Sequence, residues 1–292
     1  MPSRLIAFLA LVVFAAGSAV AAAPPLPPSN WTDGYVIANG IRIHYWRTGG
    51  EKPAIVLAHG SSDDGLCWTN FAKELERDYD IIMWDARGHG LSDPPRPADE
   101  PDVMVDDLAG LIRELKLVNP IVMGHSMGSA TAAWFGAKYP DVARAIVLED
   151  PGLVRRPPTP NAAPDVEKRR AGILARNNTS YEQLVNECMK SSPKWGASEC
   201  EIWAPSKRRH HPDTALVSIG SRPPMRDLFP KITAPVLILK ADAQGDLRRE
   251  NEEVAGLLKK GRIVHIEGAA HNVRRDQKQK TLSVLKEFLA GL

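Results

Sequence analysis

The chain has 292 residues, of which 43% are hydrophobic and 25% charged, and 37 basic against 35 acidic side chains give a formal net charge of +2. This composition excludes a disordered or fibrous chain, and the balance of interleaved charges provides no basic footprint for nucleic acid. The length accommodates one large domain with an insertion.

Residues 1–23 predict a signal for export. Arg4 precedes an uncharged apolar run over residues 5–14, and small residues then lead to an A-x-A cleavage pattern at residues 19–21. The run is marginal for a spanning helix, so we expect no stable membrane insertion once the signal is removed. We therefore expect a secreted or periplasmic protein, in which the proline-rich residues 24–30 form a stiff spacer.

The folded body is predicted to begin with a hairpin, because Asn39-Gly40 separates two runs of strand length and tolerates the positive φ of a type I′ turn. Downstream, buried-strand runs alternate with amphipathic stretches, as in a parallel sheet covered by helices. The predicted strands span residues 35–38, 41–46, 54–58, 81–84, 121–123, 145–148, 236–239 and 263–266, and the predicted helices span residues 68–77, 103–117, 129–138, 249–260 and 277–290. We predict an α/β fold with a mostly parallel, doubly wound sheet, whose core comprises residues 31–151 and 232–292.

Residues 152–231 interrupt this alternation and predict a helical lid. The interval has no buried-strand run, contains several prolines and includes helical stretches such as residues 181–190. In an oxidising compartment its Cys188 and Cys200 either pair or, like Cys67, remain buried thiols.

The lid also carries residues that bear on substrate binding. Its basic run at residues 207–209 predicts a solvated surface. An apolar pocket and a small hydrophobic core of the lid explain four of its large side chains equally well. These side chains are Met189, Trp195, Trp203 and Met225.

The clearest chemical motif is Gly124-His125-Ser126-Met127-Gly128, between a predicted strand and an alanine-rich helix. A G-x-S-x-G sequence in this strand-turn-helix context presents its serine on a sharp, strained turn. The same letters also fit a serine that merely caps a helix, but the flanking elements favour a nucleophile.

With this motif the chain resembles the α/β-hydrolase superfamily, in its lidded serine esterase and lipase form, from about residue 35 to residue 292 apart from the insertion. Three further segments match the family: His59-Gly60-Ser61-Ser62 after the first buried strand, residues 85–92 as D-x-R-G-x-G-x-S, and Gly268-Ala269-Ala270-His271 after the last strand. Ala270 stands where the family has a second glycine. The resemblance implies a hydrolase that needs no cofactor and no metal ion.

A serine hydroxyl needs a neighbouring base, and His271 is the candidate because its loop reaches the sheet edge that carries Ser126. The acid is less defined, since Gln244 stands where the family usually has it. Asp150, at the end of the strand after the serine, ranks first because pancreatic-type lipases and haloalkane dehalogenases carry their acid there. Asp242 and Asp246 remain alternatives.

The resemblance assigns the oxyanion donors to the backbone N–H groups of Ser61 and Met127. We expect hydrolysis of a carboxylic ester or lactone of a small apolar substrate through an acyl-enzyme, with specificity set by the lid and residues 63–68. Perhydrolysis or lactone opening on the same triad, or a catalytically weak ligand-binding protein, are the alternatives. Epoxide and haloalkane hydrolysis are not expected, because those relatives have aspartate in place of Ser126.

Overall fold

A computed structural model describes residues 23–154, 165–216 and 222–292. Apart from Ala23, the predicted export signal lies outside these residues, as do parts of the predicted lid. Within the described ranges, no helix has both the length and the apolar character needed to cross a membrane. The division into signal, core and lid stays a prediction.

The described residues form an eight-stranded sheet in the order β1-β2-β4-β3-β5-β6-β7-β8. The first two strands pair antiparallel around Asn39-Gly40, β2 pairs antiparallel with β4, and every later pairing is parallel. The strands are β1 Thr32–Ala38, β2 Ile41–Arg47, β3 Ala54–Ala58, β4 Asp80–Trp84, β5 Ile121–His125, β6 Ala145–Glu149, β7 Val236–Ala241 and β8 Gly261–Ile266. The predicted α/β-hydrolase sheet is thereby confirmed.

Helices cover both faces of this sheet and also occur in the described parts of the predicted lid. They are α1 Thr69–Ala72, α2 Val103–Glu114, α3 Met127–Lys138, α4 Val166–Asn177, α5 Tyr181–Ser191, α6 Gly196–Arg208, α7 Met225–Leu228, α8 Gly245–Ala255, α9 Val273–Asp276 and α10 Lys278–Ala290.

Three predicted helices have wrong bounds, and one of them is α2, which ends at Glu114 instead of residue 117. Residues 73–78 do not continue α1 but form turns, in which the amides of Glu74, Leu75 and Asp78 bond three residues back. Helix α8 begins at Gly245 instead of residue 249 and ends before Gly256, a residue that disfavours a helix interior.

Two hydrophobic layers hold the helices on the sheet. Alternate residues of a strand face opposite sides, so Val56 and Ile82 pack with α2 and α3, whereas Ile55 and Ile81 pack on the other face with α10. Burial of both faces explains why the central strands are apolar throughout. The sheet's carboxyl edge is thereby fixed, and the loops that follow β3, β5, β6 and β8 meet there.

The helices α5 and α6 are joined by a Cys188–Cys200 disulfide and share a small cluster built around Tyr181, Leu184 and Ala204. Of the two expectations for these cysteines the paired one is therefore right, while Cys67 is a buried thiol.

The expected solvated surface at residues 207–209 is wrong for Lys207, whose side chain is only 3% exposed. The burial of Lys207 is explained by its ion pair with Asp63 of the core. In the same run, Arg209 pairs with Asp64 of the core. A basic run can therefore face inward where the opposing loop supplies carboxylates.

The four large side chains of the lid do not gather around one pocket. Met225 is buried in the main core and Met189 is 37% exposed. Trp203 packs against the cluster between α5 and α6, whereas the Trp195 indole donates to Asp276 at 2.9 Å.

Candidate active site

Ser126 lies on the sharp turn between β5 and α3, with a φ of 52°. This left-handed conformation is uncommon for a residue with a side chain and is maintained by its surroundings. A Cβ on Gly124 would come within 2.1 Å of the Gly128 carbonyl oxygen, and one on Gly128 within 2.2 Å of that of Ala58. The motif's two glycines are therefore required by close backbone packing.

The structure brings Ser126, His271 and Asp150 together in one hydrogen-bonded chain. The Ser126 Oγ lies 2.9 Å from the His271 Nε2, and the His271 Nδ1 lies 2.6 Å from the Asp150 Oδ2. With Nδ1 donating to the carboxylate, Nε2 is free to accept the serine proton. This is the arrangement that a base-activated hydroxyl requires.

The two alternative acids are not part of this chain. Asp242 is exposed, and its carboxylate accepts from the Gly268 amide at 2.9 Å. Asp246 is 80% exposed and pairs with Arg249 on the surface of α8. Of the three candidates, only Asp150 contacts the imidazole.

Asp150 is fixed from the side opposite His271. Its Oδ1 accepts from the Lys240 ammonium and from the Ala241 amide, at 3.1 Å for the latter. Burial alone would raise the pKa of Asp150, but the hydrogen bond from His271 and the Lys240 cation hold it below its ordinary value. Asp150 is therefore a carboxylate at neutral pH.

The pKa of His271 is raised above its ordinary value, mainly by the hydrogen bond to Asp150, although burial acts in the opposite direction. The His271 side chain is 53% exposed, so solvent reaches the site. Its backbone carbonyl lies 3.0 Å from the Nε2 of His125, which is buried. The His125 ring thus contacts the backbone of the loop that carries His271.

The two predicted oxyanion donors come from the start of α3 and from the loop after β3. Met127 is the first residue of α3, so the helix itself provides no acceptor for its backbone N–H. The backbone N–H of the next residue, Gly128, donates to the His59 carbonyl at 3.1 Å. Ser61 is exposed in the loop of residues 59–62, called the oxyanion loop below. This loop closes through a 3.1 Å bond from the Asp63 amide to the Gly60 carbonyl.

Residues 63–68, expected to contribute to specificity, are mainly buried. Asp63, Asp64, Cys67 and Trp68 are each at most 4% exposed, and the acids among them are occupied by ion pairs.

The sequence matches the model of the "Alpha/beta hydrolase family" over residues 55–281. The chain belongs to this family. The match covers both the turn that carries Ser126 and the loop that carries His271 in this alpha/beta hydrolase.

The relatives of this alpha/beta hydrolase include two hydrolases. It is 26% identical over 259 residues to 2-(acetamidomethylene)succinate hydrolase of Mesorhizobium japonicum, covering 83% of this chain and 90% of that enzyme. It is 26% identical over 247 residues to the human serine hydrolase BPHL, covering 80% and 78%. These similarities support hydrolase activity on a small molecule.

A solved structure of E-2-(acetamidomethylene)succinate hydrolase superimposes with a TM-score of 0.73 at 24% identity, covering 89% of this chain and 99% of that one. At this identity the likeness concerns the fold.

Sequence reasoning missed the ion pairs that hold the histidine loop. Arg274 donates to the buried Glu149, the neighbour of Asp150, at 2.8 Å from both its amide and its guanidinium. Arg275 donates to Asp63 at 3.0 Å. Two consecutive arginines, three and four residues after His271, were the available signal.

Proposed function

We propose that this alpha/beta hydrolase is a serine hydrolase that cleaves a carboxylic ester or lactone of a small apolar substrate. The observation that carries the proposal is the continuous hydrogen-bonded chain from the Ser126 hydroxyl through His271 to Asp150, with separations of 2.9 and 2.6 Å. These residues are the nucleophile, the general base and the acid that orients the base.

The reaction proceeds in two steps. The Ser126 Oγ attacks the carbonyl carbon while His271 Nε2 takes the hydroxyl proton, and the tetrahedral intermediate expels an alkoxide that receives this proton. Water then attacks the acyl-enzyme, His271 takes a proton from it, and the acid leaves as Ser126 regains its proton. The Asp150 carboxylate stabilises the imidazolium in both steps without taking a proton.

The negative charge on the substrate oxygen is stabilised by the amides of Met127 and Ser61. Met127 contributes the N-terminus of α3, where the helix dipole also favours negative charge. Losing one such donor typically reduces turnover by about 10²- to 10³-fold.

The proposed setting is outside the cytosol, in the periplasm or the extracellular space. The amino-terminal pattern supports export, and the Cys188–Cys200 disulfide is a bond that persists in oxidising compartments.

The test is labelling by a fluorophosphonate probe together with turnover of p-nitrophenyl acetate and butyrate, compared between wild type and Ser126→Ala. Ser283→Ala, which removes an exposed serine on α10, is the matched control. We expect Ser126→Ala to lose labelling and at least about 10³-fold in kcat, and the control to retain both. Equal turnover by wild type and Ser126→Ala would refute the proposal, and no turnover by either protein would favour a ligand-binding role.

A further inference from the structure

Asp63 lies where three parts of the site meet. It follows the oxyanion loop directly, and its amide closes the turn that presents Ser61. The carboxylate is almost wholly buried, and each of its oxygens contacts a different cation. One cation comes from the helix α6 and the other from the helix that follows His271.

The first cation is Lys207, near the end of α6. Its ammonium donates to the Asp63 Oδ1 at 2.5 Å, to the Ser62 carbonyl at 2.8 Å and to the Ser62 Oγ at 3.1 Å. An ammonium has three protons, so these contacts occupy all of them. Lys207 is therefore committed to the oxyanion loop, with no proton left for a substrate.

The second cation is Arg275, whose guanidinium is 1% exposed and donates to the Asp63 Oδ2 at 3.0 Å. Its other terminal nitrogen donates at 3.0 Å to the Oδ1 of Asn272, the residue that follows His271. Arg275 thus connects the oxyanion loop to the histidine loop, as Arg274 connects the histidine loop to Glu149 beside Asp150.

The loop itself needs such support. Ser62 has a φ of 62°, a left-handed conformation that is uncommon for serine and persists only where the surroundings impose it. Lys207 bonds both the carbonyl and the hydroxyl of this residue, and Asp63 holds Lys207 in place. The orientation of the preceding amide, that of Ser61, depends on this strained turn.

Building on the proposed function, we propose that Lys207, Asp63 and Arg275 form a positioning unit that sets the Ser61 amide against the tetrahedral intermediate formed at Ser126. None of the three touches the reacting atoms. Asp63 is the central member, because it pairs with both buried cations and is the ion-pair partner of Lys207, whereas Arg275 also pairs with Glu199 at 3.4 Å. A basic residue of the predicted lid thereby controls transition-state stabilisation in the core.

The unit is tested with Asp63→Asn and Lys207→Met, measured on p-nitrophenyl butyrate with active sites titrated by fluorophosphonate. Lys207→Met leaves Asp63 paired with Arg275 and therefore serves if Asp63→Asn does not fold. The matched control is Asp64→Asn, because Asp64 is equally buried and ion-paired, to Arg209, yet within the described residues it forms no hydrogen bond or ion pair with Ser62 or Lys207.

We expect both variants to lose about 10- to 100-fold in kcat per titrated site, with KM nearly unchanged, because only the transition state uses the oxyanion donor. Binding of butylboronic acid, which forms a tetrahedral adduct on serine, should weaken by the same factor. The control should keep a kcat per titrated site near that of wild type, because it leaves the contacts of Lys207 with Ser62 and Asp63 in place. Unchanged kcat per titrated site in Asp63→Asn or Lys207→Met would overturn the proposal, even if fewer sites titrate.

Amide hydrogen exchange of residues 59–64 needs no substrate and separates the two proposals. If wild type and Ser126→Ala turn over esters equally, the proposed function fails, and the positioning unit is then judged by exchange alone. Faster exchange of this segment in Asp63→Asn and Lys207→Met, but not in Asp64→Asn, supports it. Equal exchange in all of the variants refutes it.

Discussion

Ser126 and Asp150 share an unusual backbone conformation. Both follow directly on a strand of the sheet, and both have positive φ values, 52° and 45°. Each is held by a hydrogen bond that continues the strand pairing, from the Ser126 amide to the Glu149 carbonyl and from the Asp150 amide to the Leu239 carbonyl. Such conformations cost on the order of 1–3 kcal/mol each, and the sheet beneath them supplies the compensating contacts.

The assignment of the acid predicts a large difference between two conservative substitutions. Asp150→Asn removes the charge that orients and stabilises the His271 imidazolium, so kcat should fall by about 10³- to 10⁴-fold. Asp242→Asn keeps an acceptor for the Gly268 amide and should leave kcat near that of wild type. Steady-state turnover of p-nitrophenyl butyrate checks both, and comparable losses in the two variants would contradict the assignment.

The electrostatics of His271 predict the pH dependence. The base must be neutral, and Asp150 raises the pKa of His271, so kcat/KM should rise with pH through a midpoint above 6.5. The Lys240 cation opposes this shift, so Lys240→Met should move the midpoint to still higher pH. The control is Lys280→Met, which removes an exposed lysine paired with Glu267. A midpoint that moves downward in Lys240→Met would show that this cation does not act on the imidazolium.

Among the elements, α5 and α6 form the part most separable from the sheet. Their shared cluster is small and distinct from the two main layers, and the disulfide joins residues 12 apart in sequence. Closing so short a loop contributes on the order of 3 kcal/mol in a chain-entropy model. We expect reduction by dithiothreitol to accelerate amide exchange in residues 181–208 while β3, β5 and β6 stay protected.

Cys188→Ala/Cys200→Ala should show the same exchange pattern without reductant. Cys67 does not complicate the experiment, because burial raises the pKa of its thiol to about 12. Loss of protection in the sheet together with the helices would show that the two parts unfold as one unit.

The elements also show what sequence pattern can predict. The strands and the turn at Ser126 were predictable, because continuous apolar runs and glycines at fixed spacing reflect local constraints. The place of Asp150 in the chain favours it as the acid, but only the folded structure separates it from Asp242. The burial of Lys207 was not predictable, because its partner Asp63 is 144 residues away in sequence and a basic run is ordinarily solvated.

Over the whole molecule, stability and active-site geometry have partly different origins. The apolar layers stabilise the sheet, whereas buried ion pairs fix the loops at its carboxyl edge. One of these pairs joins Glu149 to Arg274, whose side chains are 0% and 2% exposed. Burial would raise the pKa of Glu149, but the Arg274 cation holds it below the ordinary value. The pair therefore stabilises the fold above the unfolded-state pKa of glutamate, and this contribution is lost as the pH falls through the lower folded-state pKa.

Glu149→Gln keeps the shape of the side chain but leaves the Arg274 guanidinium buried without its carboxylate, which typically costs about 3–5 kcal/mol. We expect the free energy of unfolding at pH 7 to fall by this amount in urea titrations, and the difference from wild type to shrink at strongly acidic pH. Glu149→Leu/Arg274→Met, which removes both charges, should recover part of the loss. The stability difference between wild type and Glu149→Gln could instead stay constant down to strongly acidic pH. Protonation of Glu149 would then have no effect on the stability of wild type, and the charge of Glu149 would not stabilise the carboxyl edge.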